Sequence, residues 1–172
     1  NLNHPIVDSA FTYKIQRGYQ TVAHNLLKIS AYAKGRLGRL DATLARQTDN
    51  RLEYDFDEPY SISNTLYNSP ENDFDLVTHS AELVWEHNAI GHITGSIGGD
   101  FMTQGNVYTG LAYQPVIPNY RNYSGGMFII EKWSLSNKLL LEGGIRYDYK
   151  WQREYMLNPT SLLEYSNTQN YT

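Results

Sequence analysis

Three groups of side chains in this sequence have types and spacings that chemistry can use. The run Glu53-Tyr54-Asp55-Phe56-Asp57-Glu58 gathers carboxylates, the hard oxygen ligands that suit Ca²⁺. It has no glycine at a turn position and no regular ligand spacing, so the plainer reading is a solvated loop flank. Histidines stand at positions 4, 24, 79, 87 and 92, and His87 and His92 flank one short turn, close enough to approach each other. With no cysteine and no H-E-x-x-H arrangement, a catalytic zinc site is not expected, nor is any cofactor. No G-x-S-x-G is present, and spacing alone brings no Ser, His and acid together, so the chain does not read as an enzyme. The third group is Tyr113, Asn119, Tyr120, Arg121 and Tyr123. Tyrosine gives rigid, amphipathic contact area, and arginine pairs with carboxylate or catecholate-like oxygens, so these are the candidate ligand-binding residues. The alternative is that they build the rim of a loop.

The elements that would hold these groups show first in residues 138–150. Leu139, Leu141, Ile145, Tyr147 and Tyr149 alternate with Leu140, Glu142, Arg146, Asp148 and Lys150, so one face of a long strand is apolar and the other charged. Similar alternation marks residues 21–33, 37–47, 74–86 and 91–101. Residues 124–134 form a fifth segment of mixed parity, in which Glu131 shares a face with Met127, Ile129 and Trp133 and the faces cannot be assigned. His79 falls on the apolar parity of its strand, and Tyr32 on the polar parity of its own. In the repeat Gly91-x-x-x-Gly95-x-x-x-Gly99, His92, Thr94 and Ser96 break any apolar helix, which favours a strand.

The expected fold is therefore all-β, an antiparallel up-and-down meander of about six long strands. The connections alternate short and long: turns at 34–36, 87–91 and 136–137, and loops at 51–73 and 102–123, with residues 151–172 as a polar tail or third loop. In a meander, all short turns then fall at one end and all long loops at the other, the pattern of an outer-membrane barrel. Trp85 and Trp133 sit near the short turns, and Tyr147, Tyr149 and Trp151 near the long loops, where two aromatic girdles would lie. Lumen-facing Glu142, Arg146 and Asp148, with Glu82 and Glu86, would form a polar inner wall.

Composition agrees with this without requiring it. The 172 residues carry a net charge of -4 and 15 tyrosines, and their mean hydropathy is -0.53. No apolar run reaches the length of a membrane-spanning helix, but a barrel needs only alternate apolar residues. Lysine and arginine are scattered, so nucleic acid is not an expected partner. No signal peptide opens the chain, which reads as beginning inside a mature or larger protein.

The chain resembles the barrel of a TonB-dependent outer-membrane receptor. The likeness is carried by Pro118-Asn119-Tyr120-Arg121-Asn122-Tyr123-Ser124-Gly125-Gly126, the strand Met127 to Trp133, and L-L-L-E-G-G-I-R-Y-D-Y at 139–149. A first hairpin from Gln20-Thr21-Val22-Ala23-His24 to Arg51-Leu52-Glu53-Tyr54-Asp55 adds to it. The resemblance implies a bacterial outer-membrane location and import of a scarce ligand such as a ferric siderophore, haem or cobalamin. It also implies lipid outside the barrel and an inner-membrane energy-transducing complex reached through an N-terminal part. Such barrels have about 22 strands and a plugged lumen, so residues 1–172 would be a partial barrel domain without the plug and remaining strands. A soluble small-ligand-binding β-barrel and a surface adhesin-type barrel are the alternatives.

Overall fold

The computed structural model describes residues 18–54, 70–107, 118–157 and 164–171, which form one antiparallel sheet and no helix. Its strands are β1 (Tyr19–Gly35), β2 (Gly38–Tyr54), β3 (Asn72–Ile90), β4 (Ile93–Val107), β5 (Asn119–Ser136), β6 (Leu139–Leu157) and β7 (Glu164–Tyr171). Sheet order equals chain order, so this is an up-and-down meander. Its first and last strands are each paired on one side only, so the sheet is open among the described residues. Two-residue turns at Arg36-Leu37, Gly91-His92 and Asn137-Lys138 close three hairpins at one end. Gly91 supplies the positive φ, +65°, that a tight hairpin turn demands.

The structure changes several expectations. There are seven strands rather than six, because β6 runs on to Leu157 and residues 164–171 add β7 where a tail or loop was expected. β2 continues to Tyr54 and β3 starts at Asn72, while β4 reaches Val107 and β5 starts at Asn119, so both long connections are shorter than the sequence suggests. His87 lies inside β3, not in the turn that follows it. The reason is common to all of these. Alternation of apolar and polar residues marks only the part of a strand with one apolar face, whereas backbone pairing continues beyond it.

The registers sort every strand into the same two faces. One carries rows of opposed residues: Ile29, Leu44, Ala81, Phe101, Gly125 and Tyr149; then Ala31, Ala42, Leu83, Gly99, Met127 and Tyr147; then Ala33, Leu40, Trp85, Ile97, Ile129 and Ile145. The opposite face carries Ser30, Thr43, Glu82, Asp100, Gly126 and Asp148, and the rows beside them. β5 joins this scheme with Met127, Ile129, Glu131 and Trp133 on the apolar face, which settles its mixed parity.

No aliphatic or aromatic strand side chain is buried among the described residues, so the sheet has no hydrophobic core. Met127 and Ile145 stay 74% and 72% exposed on the apolar face, whereas Asn106 and Asn122 on the polar face are 2% and 4% exposed. Crowding on one face and splaying on the other has the sign that curvature toward the polar face produces. The hairpins are also staggered. Gly38 faces His87, but β3 continues to Ile90; Ile93 faces Trp133, but β5 continues to Ser136. Each short turn thus lies three residues further along than the one before it, with a register shift at both places.

Candidate functional site

The polar face is held by side chains that reach across strands. Arg146 on β6 spans Gly126 on β5 to meet Asp100 on β4, its Nη2 donating to Oδ1 at 2.6 Å, and donates equally closely to Asp148 on its own strand. A side chain at position 126 would overlap both Arg146 and Asp148, so the missing Cβ makes room for the bridge. Lys132 and Glu142 face each other at 3.5 Å. Arg39 pairs with Asp41 at 2.6 Å and lies 4.8 Å over the ring of Tyr32, which explains an aromatic on this face. Arg146, Asp148 and Glu142 therefore share one charged face of the sheet, on which Glu82 and Glu86 also lie by parity.

Toward the end opposite the short turns the wall becomes amide-rich. Gln104 is its hub: its Nε2 donates to Thr78 Oγ1 at 3.2 Å, while its Oε1 accepts from Tyr120 Oη at 3.2 Å and from Asn122 Nδ2 at 3.3 Å. Beside this hub lies a recess of about 400 Å³ lined by Asp49, Arg51, Glu53, Asn72, Phe74, Leu76, Asn106 and Tyr120. All eight have polar-face parity on β2, β3, β4 and β5. Glu53 is fixed by Arg51 at 2.6 Å and by Asn72 Nδ2 at 3.1 Å. Asn106 Nδ2 and Asp49 Oδ1 are buried with no hydrogen-bond partner among the described residues. A buried donor and a buried acceptor left open in one recess are groups a polar ligand can satisfy. Phe74 and Leu76 supply an apolar patch for the rest of it. The described lining combines carboxylates, amides, an arginine and a tyrosine, groups that can hold a polar ligand.

The sequence candidates are divided by the strand they occupy. Asn119, Tyr120, Arg121 and Tyr123 lie on β5, not on a loop, and side chains alternate there. Only Tyr120 joins the polar-face recess. Asn119, Arg121 and Tyr123 belong to the other face, beside a second hollow of about 520 Å³ with His79, Thr103 and Tyr155. Tyr123 there packs on Trp151, ring centroids 5.4 Å apart. Tyr113 lies outside the described residues, as do positions 55–58 of the acidic run. Gln104, Asn106 and Asn122 were missed; their spacing of two and amide chemistry were the available signal, in segments that read as loop.

On the apolar face two departures find their place. His79 faces Arg46 in the row above Phe101 and Tyr149, at the limit of the apolar rows. His87 Nε2 meets Glu131 Oε2 at 3.1 Å across Gly95, and its Nδ1 lies 2.9 Å from Asn88 O. The His87 side chain is only 6% exposed. Among the described residues no three His, Cys, Asp or Glu side chains gather to hold a metal ion. Comparison with protein-family models, curated proteins and solved structures finds no match.

Proposed function

We propose that this chain is a stretch of wall from a bacterial outer-membrane β-barrel of the TonB-dependent receptor type, which imports a scarce small molecule or metal chelate. The observation that carries this reading is an uncovered apolar face on a sheet whose crowded face is polar. Exposed apolar surface is unfavourable in water by roughly 25 cal/mol per Å², so the rows from Ile29 to Ile145 need a non-aqueous cover, and hydrocarbon provides it. A soluble ligand-binding barrel has the opposite arrangement, with its apolar face inside.

Geometry supports the same conclusion. If the short turns share one level, a stagger of three residues over two strands leans the strands by about 45°, within the range of membrane barrels. From Leu139 to Trp151 the apolar face of β6 then rises about 28 Å, and from Gly35 to Leu27 that of β1 rises about 19 Å, bracketing the ~25 Å apolar band of such barrels. Trp133 near the lower limit and Tyr123, Tyr149 and Trp151 at the upper one suit the two aromatic girdles. The recess with Tyr120 and Asn106 lies above that band, on the lumen side, where a ligand entering from the loop end would arrive. The open edges at β1 and β7 need further strands, since unpaired backbone is not tolerated in lipid.

Uptake by cells carrying the intact protein tests the reading. Labelled ferric siderophore, haem and cobalamin are supplied in turn, with and without a protonophore. Accumulation of one of them that stops when the inner membrane is de-energised is the expected result. Accumulation that persists indicates a passive pore, and none at all leaves the adhesin reading.

A further inference from the structure

Arg121 and Arg153 stand directly opposite each other on β5 and β6, on the same face as the apolar rows. Cross-strand partners have Cβ atoms about 5 Å apart, and like charges at that separation are destabilising unless something between them is negative. Neither arginine forms an ion pair among the described residues. Arg153 rests on Tyr155, its guanidinium 5.8 Å from the ring centroid, and Arg121 borders the 520 Å³ hollow with Asn119, Thr103 and Tyr123. One row nearer the short turns, Tyr123 and Trp151 pack together, and in that same row lie Arg46 and His79. Across these two rows, all seven strands contribute no aspartate or glutamate to this face. Arg46, Arg121 and Arg153 therefore collect at and just above the last aromatic pair of the apolar band; the nearest acid on this face, Asp75, stands one row further from the short turns and borders the same hollow, with no ion pair to either Arg121 or Arg153 among the described residues.

We propose that Arg121 and Arg153 bind an anionic lipid headgroup at the membrane interface on the long-connection side. The inference rests on the reading that the apolar face meets a bilayer. The chemistry is that of two guanidinium forks closing on phosphate oxygens, with Tyr155 and Asn119 beside them and the acyl chains lying over Tyr123, Trp151 and the rows below. It also gives Arg121 a place that a lumen ligand cannot, since its side chain is on the wrong face for the recess at Tyr120. Arginines near a membrane surface favour anionic lipid by about fivefold each.

The test uses the intact protein with every tryptophan except Trp151 changed to Phe, Trp85 and Trp133 among them, reconstituted in vesicles of phosphatidylcholine containing brominated phosphatidylglycerol or brominated phosphatidylcholine. Bromine on an acyl chain quenches a tryptophan it touches, and Trp151 reports the site. Stronger quenching by the anionic lipid is expected, with each of Arg121→Gln and Arg153→Gln lowering the preference about fivefold and the double variant abolishing it. Quenching by both lipids with a preference unchanged in the double variant overturns the headgroup site and leaves the membrane reading standing. No quenching by either lipid overturns both. Loss of the preference on adding millimolar inorganic phosphate would assign the pair to a soluble anion and overturn the lipid.

Discussion

His87 and Glu131 show how a charge can sit on an apolar face without being stranded there. Both ring nitrogens of His87 face acceptors, Glu131 and the carbonyl of Asn88, so the pair needs two protons on or beside the ring and is satisfied as imidazolium with carboxylate. Removing either partner leaves the other without its match, whereas removing both removes the problem. His87→Leu and Glu131→Leu should each lower the urea midpoint of unfolding, and the double variant should lie nearer wild type than either; additive losses would show that the two residues are not coupled. Gly95 is part of the same unit, because a Cβ there would overlap Ile130 O and the Glu131 carboxylate. Gly95→Ala should cost about 1–3 kcal/mol by the same measurement. This pair was not legible in sequence: parity made Glu131 a puzzle, and its partner stands 44 residues away.

At the scale of the strand, the apolar half of each element was readable and the polar half was not. Residues 139–149 show their faces because one side is apolar. Residues 48–54 and 119–122 are polar on both sides, so nothing in their pattern separates strand from loop, and neighbouring ladders alone hold them extended. The same blindness hid the Gln104 hub and placed Arg121 and Tyr120 together, when adjacent positions on a strand point apart. The polar wall depends on β5 staying narrow at Gly126. Gly126→Val should separate Arg146 from Asp100, and a double-mutant cycle between Asp100→Asn and Arg146→Gln should lose its coupling in that background. The first turn is latched from the next strand: Asn88 Nδ2 donates to Arg36 O at 2.9 Å, and its backbone N–H to Leu37 O at 3.2 Å. Asn88→Ala keeps the second bond and should cost only about 0.5–1.5 kcal/mol.

For the molecule as a whole, the two faces make opposite predictions for one and the same substitution. Met127→Arg, in the middle of the apolar rows, should weaken folding into vesicles by about 2–4 kcal/mol, and Ser80→Arg on the polar face should change it little. Equal effects would mean that neither face meets lipid. The meander topology itself was visible in the sequence through the alternation of short and long connections; the seventh strand and the stagger were not, because they reside in registers between strands. That stagger has a consequence for how the structure is made. Every described strand pairs only with its neighbours in the chain, so growth of this sheet never waits for distant segments to find each other, and such local topologies form quickly. The sheet can grow one hairpin at a time, with the newest edge as the template for the next. Because each hairpin starts three residues beyond the last, growth advances like the thread of a screw, and a strand added at the wrong offset would put its turn off the common level of the others.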